Sequence, residues 1–179
     1  MDFTLSKEQE MARTLFRDFA EKEVKPLAQE IDEEERFPTE ALEKFRKYKF
    51  MGIPYPKEYG GAGCDMLTYE MCIEEMAKVC ATTSTMLSAH TSLGTWPILK
   101  YGTPEQKAKY LPKLCTGEYL GAFALTEPNA GTDSSAQQTK AVLDGDHYVL
   151  NGNKIFITNA GYADTYIVFA MTDKSKGNH

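Results

Sequence analysis

This chain of 179 residues is poor in the residue types that build metal sites. Only three histidines are present, and the cysteines form no C-x-x-C pair; these are Cys64, Cys72, Cys80 and Cys115. Histidine and cysteine therefore show none of the spacings typical of a metal centre, and we predict no metal ligands. We expect reduced, mostly structural thiols, with disulfide formation as the alternative.

Long hydrophobic runs and excess positive charge are also absent. The longest apolar stretches, such as Ile167–Met171, are far shorter than the roughly 20 residues that span a bilayer. Residues 1–4 contain no basic region followed by an apolar run. The 20 Lys and Arg residues are outnumbered by 26 Asp and Glu residues, giving a net charge of −6. We therefore predict a cytoplasmic protein with neither a membrane nor a nucleic acid as partner.

Helical periodicity dominates the first 118 residues. Ser6 with Gln9 and Thr103 with Gln106 have the spacing of capping boxes, and Asp65 is placed as an N-cap. Five helices are predicted, at about Ser6–Glu30, Pro38–Lys49, Asp65–Val79, Ser84–Leu99 and Thr103–Gly117. The fourth carries little charge on any side, which indicates a helix that lies in an interior or lines a cavity.

Beyond residue 118 the pattern changes to the alternation typical of strands. Strands are predicted at Leu120–Thr126, Thr139–Leu143, His147–Leu150, Lys154–Thr158 and Thr165–Met171. Asp144-Gly145 and Asn151-Gly152 are signals for two-residue hairpin turns. The predicted fold class is α+β, with a helical region followed by an antiparallel β-meander.

One rim of this predicted sheet combines hydroxyl groups with a glycine-containing loop. Thr126 ends a strand and opens a loop that contains Gly131, and such loops suit ligands with carbonyl or phosphate oxygens. Phe156 and Thr158 are two apart on a predicted strand and would share a face, which favours a flat heteroaromatic ligand. The alternative is structural: Thr126 and Thr158 end strands and Phe156 fills the core.

Two long motifs connect these residues to a family. The segment Thr126-Glu-Pro-Asn-Ala-Gly-Thr-Asp133 and the segment Asn151-Gly-Asn-Lys-Ile-Phe-Ile-Thr-Asn159 together resemble the signature of acyl-CoA dehydrogenases. The resemblance extends from the Phe3-x-Leu5 opening, through Tyr59-Gly-Gly61, to the Asp164–His179 segment. It is strongest to short-chain, butyryl-CoA-type enzymes.

The resemblance implies a domain organisation. Residues 1–118 would form the helical N-terminal domain, and residues 119–179 the first part of the antiparallel β middle domain that carries flavin-binding strands. A C-terminal helical domain completes the family fold and is absent from these residues. We therefore expect the front half of an enzyme, with apolar side chains and a strand edge near Thr165–Met171 left uncovered.

The family binds FAD, and the motif positions imply which residues contact it. Phe123, Leu125 and Thr126 would approach the flavin ring through backbone groups and the Thr126 hydroxyl. Phe156 would pack on one flavin face, where many relatives carry Trp, and Thr158 would reach the N5 edge. An aromatic side chain at this position excludes water and supports the ring.

The family also implies a substrate site. Thr132 stands where relatives place a Ser or Thr near the thioester and CoA. Met86, Ala89 and Leu93 would line the acyl pocket on the low-charge helix. His90 is interpreted as a packing residue and Glu127 as a structural hydrogen-bonding group at the end of a strand.

The implied reaction oxidises a short-chain acyl-CoA to a trans-2-enoyl-CoA. A carboxylate removes the α-proton while the β-hydride moves to the flavin, and electrons pass to an electron-transferring flavoprotein. The family base is a Glu near the C-terminus of the full-length enzyme, so these residues hold no catalytic residue, and we expect the isolated chain to be inactive. Full-length members form homotetramers. Two alternatives stay open, a non-catalytic interaction module and an acyl-CoA oxidase that reacts with oxygen.

Overall fold

The structure of the protein is a computed structural model that describes residues 4–176. Phe3 of the Phe3-x-Leu5 opening and residues 177–179 at the end of the Asp164–His179 segment lie outside the described residues. Helices come first along the chain and strands follow, as the change in periodicity predicts. No helix among residues 4–176 combines the length and the apolar character needed to cross a membrane.

The helical region contains five long helical stretches between residues 7 and 116, at the predicted places, and two short 3₁₀ turns, Phe50–Gly52 and Lys57–Tyr59. The helices are α1 (Lys7–Phe19), α2 (Lys25–Glu33), α3 (Thr39–Tyr48), α4 (Met66–Ala77), α5 (Ala81–Ser88), α6 (Trp96–Tyr101) and α7 (Pro104–Thr116). A π-helical segment, Ala20–Val24, joins α1 to α2, and a second one, Ala89–Thr95, joins α5 to α6. Both long helices therefore continue through a local widening of the turn.

Side-chain caps set where three of these helices begin, and a glycine sets where α7 ends. Ser6 caps α1 in a reciprocal capping box with Gln9, and Thr103 caps α7 in the same way. Asp65 accepts a hydrogen bond from the Thr68 N–H at the start of α4. These three predicted caps are confirmed. α7 ends at Gly117, which has φ +80°, a conformation that glycine adopts at little cost.

An apolar core and a buried ion cluster hold α1 against α4. Phe16, Phe19 and Met76 belong to the main buried cluster. At its edge, the buried Glu75 carboxylate contacts Arg13 Nε at 2.9 Å and, in the same cluster, Lys78 Nζ at 2.9 Å. Burial alone would raise the pKa of Glu75, but hydrogen bonds from its basic partners lower it to about 2. Glu75 is therefore held as an anion that joins two helices.

Up to residue 176, the β region consists of two separate pairs of strands. The strands are β1 (Gly121–Ala124), β2 (Lys140–Asp144), β3 (His147–Asn151) and β4 (Thr165–Val168). β2 and β3 form an antiparallel hairpin in which Asp144 lies opposite His147, so the two loop residues are Gly145 and Asp146, one later than predicted. β1 pairs with β4 in parallel, from Gly121 opposite Thr165 to Ala124 opposite Val168.

The predicted antiparallel meander is wrong in three details. β1 and β4 pair in parallel, Lys154–Thr158 is not a strand, and Asn151-Gly152 does not open a hairpin. The chain at Gly152 passes so close to Thr139, just before β2, that an added Cβ would overlap the Thr139 hydroxyl oxygen. Residues 154 and 155 then make hydrogen bonds to Leu125 and Thr126, just beyond β1.

Apolar side chains form the core of the helical region, whereas those of the β2–β3 hairpin are exposed to solvent. Large side chains on β2 and β3 are at least 40% exposed; they are Val142, Leu143, Tyr148, Val149 and Leu150. Near Thr165–Met171, where uncovered apolar side chains were expected, Tyr166, Val168 and Phe169 are 39–42% exposed. The exposed apolar side chains of the hairpin were not predicted. All four cysteines are free, with Cys64 exposed and the other three buried.

Candidate functional site

The loop that follows β1 is a tight, hydrogen-bonded turn. Glu127 and Ala130 exchange two backbone hydrogen bonds of 3.1 Å, which close the turn over Pro128. Further on, the Asp133 carboxylate accepts a 3.1 Å hydrogen bond from the Ser135 N–H, as expected for a residue that closes a loop. Thr132 lies between them. The hydrogen bonds hold the turn in place, and the Thr132 side chain is exposed to solvent.

The buried side chain of Glu127 anchors this loop. Its side chain is 5% exposed and accepts hydrogen bonds from the N–H of Gln138 at 2.5 Å and of Thr139 at 3.0 Å. Lys154 Nζ lies 2.9 Å away. Burial would raise the pKa of Glu127, but hydrogen bonds from Thr139, Gln138 and Lys154 lower it to about 2. Glu127 is an anion with a structural role, as predicted.

Lys154 joins the two sequence motifs in space. Its ammonium group also donates to the carbonyl oxygen of Leu125 at 2.7 Å, and the next N–H, of Ile155, donates to Thr126 O at 3.0 Å. The segments around Thr126 and Phe156 are therefore neighbours. The segment around Phe156 is a loop and not the strand that was predicted. Sequence reasoning gave Lys154 no role. Its position directly before the apolar run Ile155–Ile157 was the available signal, because a lysine that becomes buried beside such a run needs a partner.

Phe156 is held in an unusual conformation. Its φ is +57°, which is rare for a bulky residue, and its side chain is 88% exposed. The structural alternative that it fills the core is wrong, and so is the argument that Phe156 and Thr158 share a strand face. Strained backbone and an exposed aromatic ring together are typical of functional positions.

Asn159 ties this loop to the helical region. It has φ +71° and is buried, and its Nδ2 group donates to Met86 O at 3.1 Å and to Gly121 O at 3.0 Å. The side chain therefore links the end of the loop, helix α5 and the start of β1. The motif in the sequence does not by itself assign Asn159 a role, although Asn is one of the few residues that tolerates positive φ.

A cavity of about 800 Å³ opens beside Asn159. Met86 and Thr158 both line it, and the stacked rings of Phe37 and Tyr162, 3.9 Å apart, form another part of its wall. A predicted acyl-pocket residue and a predicted flavin-edge residue are thus brought together. Ala89 and Leu93 are not in this wall: Ala89 is buried, and Leu93 is 42% exposed.

Two backbone N–H donors lie in the segment that bonds Lys154 and Ile155, the residues just before Phe156. Within residues 4–176, the N–H groups of Leu125 and Thr126 donate to no other group, although both carbonyl oxygens are paired. Phe123 precedes them on β1, half-buried, with its ring 5.2 Å from that of Phe169. The site thus offers N–H donors, the Thr126 and Thr158 hydroxyls and an aromatic face to a ligand rich in acceptors.

His90 connects the helical region to β1 from inside the core. It is fully buried, its Nδ1 accepts from the Gly121 N–H at 3.0 Å, and its Nε2 contacts Leu114 O at 3.1 Å. A carbonyl oxygen can only accept, so Nε2 carries the proton and the ring is neutral. Burial lowers the pKa of His90 to about 4. Both nitrogens are satisfied, which supports a packing role.

The neutral state of His90 predicts loss of stability in mild acid. Its folded pKa lies below the ordinary value of 6.5, so the unfolded chain takes up a proton first as the pH falls from about 6.5 to 4. The free energy of unfolding should fall in this window by up to about 1.4 kcal/mol per pH unit. Denaturant titrations at several pH values measure this slope. His90→Asn keeps an acceptor for Gly121 and cannot titrate, so its slope should be clearly smaller; an equal slope would contradict the prediction.

A helical region is followed by strands, and Met86 of the helical region and Thr158 of the part that follows line one cavity. The chain is therefore an α+β protein with a candidate ligand site where the two regions meet. The model of the acyl-CoA dehydrogenase N-terminal domain matches residues 6–118, and that of the acyl-CoA dehydrogenase middle domain matches residues 122–179. The chain belongs to the acyl-CoA dehydrogenase family. The fold class and the family resemblance are both confirmed.

Similar proteins share this part of the fold. The short-chain specific acyl-CoA dehydrogenase of Clostridium acetobutylicum is 63% identical over 99% of the chain and 47% of its own length. The caffeyl-CoA reductase-Etf complex subunit CarC of Acetobacterium woodii is 47% identical over 96% of the chain and 46% of its own length. The chain thus spans about half the length of the curated relatives that it matches.

Solved structures agree with this assignment. Butyryl-CoA dehydrogenase from Megasphaera elsdenii is 48% identical, with a TM-score of 0.94 over 100% of the chain and 48% of that structure. An acyl-CoA dehydrogenase from Bacillus anthracis in complex with FAD is 37% identical, with a TM-score of 0.88 over 98% of the chain and 30% of that structure.

Proposed function

We propose that residues 1–179 form the helical domain and the first part of the β domain of an FAD-dependent enzyme that oxidises short-chain acyl-CoA to trans-2-enoyl-CoA. The observation that carries the proposal is the shared cavity of Met86 and Thr158. These residues come from segments far apart in the sequence, and the family assigns one to the acyl group and the other to the flavin edge. The boundary between residues 118 and 119 and the cytoplasmic location are part of the same proposal.

The residues near Phe156 fit a flavin. FAD, when bound, supplies the acceptor for a hydride from the substrate. Phe156 would pack on one face of its ring, Thr158 would lie at the N5 edge, and Phe123, Leu125 and Thr126 would contact the ring. The free N–H groups of Leu125 and Thr126 suit the acceptor atoms of a flavin, because each would otherwise lack a partner once covered.

The substrate would lie between this site and helix α5. Met86 forms part of the cavity wall, and Ala89 and Leu93 continue along the helix and its π-helical extension. The exposed face of Leu93 needs a further covering surface before it can exclude water from an acyl chain. Thr132, at the outer side of the β1 loop, would contact the thioester and CoA.

The catalytic reaction needs a general base, and none of the buried carboxylates in residues 4–176 suits that role. Among residues 4–176 the buried acids are Glu75 and Glu127, and both have a pKa lowered to about 2. A base that removes an α-proton near neutral pH works best with a pKa near the operating pH. We therefore expect residues 1–179 alone to lack the base and to show no turnover.

Partners follow from the same proposal. In the direction of acyl-CoA oxidation, electrons pass from the reduced flavin to an electron-transferring flavoprotein. The complete enzyme would be a homotetramer. The name of the Acetobacterium relative joins a caffeyl-CoA reductase to Etf, which favours the same kind of partner. It also favours a second candidate, reduction of an enoyl-CoA, which uses the same site in the opposite direction.

The test is a visible absorption spectrum. Residues 1–179 are purified alone and also as a fusion to the part of the Clostridium acetobutylicum relative that follows the matched segment. After addition of FAD and removal of the free flavin, we expect flavin in the fusion and little in the chain alone. Butyryl-CoA, added without oxygen, should bleach the fusion; crotonyl-CoA added to the reduced fusion should restore the colour if the reductive direction operates.

Phe156→Ala sharpens this test. Loss of the ring should weaken flavin retention by the fusion about fivefold or more, because aromatic contacts of this kind contribute about 1 kcal/mol or more beyond area burial. Tyr101→Ala, which removes a ring that is 81% exposed outside the site, is the matched control. Equal flavin retention by the two variants would contradict the role of Phe156. A fusion that never retains flavin would favour the interaction module, and rapid reoxidation by oxygen would favour an oxidase.

A further inference from the structure

Side chains hold both backbone groups of Gly121 at the start of β1. The Gly121 N–H donates to Nδ1 of the buried His90 at 3.0 Å, and the Gly121 carbonyl oxygen accepts from Asn159 Nδ2 at 3.0 Å. Gly121 also lies opposite Thr165 in the pairing of β1 with β4. The first residue of β1 is therefore fixed both by the helical region and by the loop that contains Asn159.

The second hydrogen bond of the Asn159 amide reaches α5. Nδ2 donates to the carbonyl oxygen of Met86 at 3.1 Å. Met86 lies in the last turn of α5, which continues into the π-helical segment Ala89–Thr95, and π-helical turns are frequent at functional sites. One NH₂ group thus joins α5, the start of β1 and the residue that follows Thr158.

The position demands asparagine for two independent reasons. The φ of +71° at residue 159 suits glycine, asparagine and aspartate. The two carbonyl oxygens can only accept, so they need a short side chain with two N–H donors. Asparagine has these donors, whereas glycine and ionised aspartate have none. Asparagine therefore satisfies both the backbone conformation and the two acceptors.

The same residue closes the turn that follows Thr158. The Asn159 carbonyl oxygen accepts from the N–H groups of Tyr162 at 3.1 Å and Ala163 at 2.9 Å. Thr158 directly precedes Asn159, so a shift of Thr158 away from α5 must stretch or break the hydrogen bond to Met86 O. Thr158 and Met86 line the same cavity. Asn159 thus sets the separation between these two parts of the wall.

We propose that Asn159 is a positioning residue, which fixes Thr158 at the flavin edge relative to Met86 in the wall that holds the acyl group. This inference rests on the proposed function, in which a hydride passes from the acyl chain to the flavin. Such a transfer depends steeply on alignment, and a displacement of about 1 Å can slow a reaction about 100-fold. Asn159 acts through Thr158 and Met86, so its loss should affect the chemical step more than substrate binding.

The test compares Asn159→Gly with the parent in the flavin-loaded fusion. Glycine keeps the positive φ and removes both donors. Butyryl-CoA is mixed with each fusion without oxygen, and the rate constant of bleaching is measured per bound flavin, so that loss of folded protein does not alter it. We expect this rate constant to fall about 10- to 100-fold, while the butyryl-CoA concentration at half-maximal rate changes little. Asn159→Asp keeps the shape without the donors and should also slow bleaching.

A second readout needs no flavin. Amide hydrogen exchange is measured on residues 1–179 alone, in the parent and in Asn159→Gly. The N–H groups of Tyr162 and Ala163 should exchange faster in the variant, whereas those of α1 should not change. Asn153→Gly is the matched control, because Asn153 is exposed in the same motif and its side chain makes no hydrogen bond within residues 4–176. It should leave both exchange and bleaching unchanged.

The outcomes separate this inference from the proposed function. Normal bleaching of the parent, with an unchanged rate constant per bound flavin in Asn159→Gly, would overturn the positioning role alone, even if the variant retains less flavin. Equal slowing by Asn153→Gly would also overturn it. A parent fusion that retains flavin but is not bleached by butyryl-CoA would overturn the proposed function, and the positioning role with it.

Discussion

Replacing Lys154 by Met should destabilise the β region by about 3–5 kcal/mol, the cost of leaving one member of a buried ion pair alone. The Glu127 carboxylate would keep only the N–H groups of Gln138 and Thr139, and Leu125 O would lose its donor. Methionine fills a similar volume, so the loss is electrostatic and not a cavity effect. Urea unfolding at neutral pH measures the change.

The control for this substitution is Lys174→Met. Lys174 is exposed and donates to the side chain of Gln138, whose N–H bonds Glu127, so it tests a surface lysine in the same neighbourhood. Its removal should change stability by no more than about 0.5 kcal/mol. Glu127→Gln in the Lys154→Met background should recover part of the loss, because it removes the unpaired charge. Equal effects of the two lysine substitutions would show that the buried pair does not matter.

Replacing Gly94 by Ala should also be strongly destabilising, by about 3 kcal/mol at the upper end of the range for overpacked sites. Gly94 lies in the π-helical segment against the start of β1, and an added Cβ would meet the Gly121 carbonyl carbon at 2.6 Å and its Cα at 2.7 Å. Backbone atoms cannot turn aside as a flexible side chain can. This contact outweighs the roughly 1 kcal/mol that Ala normally gains over Gly within a helix.

Gly131→Ala is the matched control for this position. An added Cβ at Gly131 meets no atom within 4 Å, and its φ is not positive, so the change should be within about 0.5 kcal/mol. Thermal unfolding of both variants gives the comparison. A melting temperature for Gly94→Ala close to that of the parent chain would mean that the helix and β1 can separate without cost.

The helical region could be predicted from the sequence because its signals are local. Ser6, Asp65 and Thr103 form their caps with residues only three positions away, and Gly117 ends α7 through its own backbone freedom. Such interactions depend on a few neighbouring residues and survive in almost any tertiary context. All five predicted helical stretches are therefore present between residues 7 and 116.

The β region could be predicted only in part, because strand pairing joins distant residues. The parallel pairing of β1 with β4 brings Gly121 opposite Thr165, and no local pattern specifies that partner. The alternation across Lys154–Thr158 resembled a strand, yet Lys154 and Ile155 bond the end of β1 instead. Tertiary hydrogen bonds overrode a local propensity, as is common for short strands.

The sequence by itself determined the helices, their caps, the change to β structure after residue 118 and, through two long motifs, the family. Only the tertiary structure decided that Lys154 and Asn159 join those motifs, that Phe156 is exposed on strained backbone, and that Met86 shares a cavity with Thr158. The reason is physical. Caps and periodicity are properties of neighbouring residues, whereas burial, pKa shifts and cavities depend on groups that become neighbours only when the chain folds.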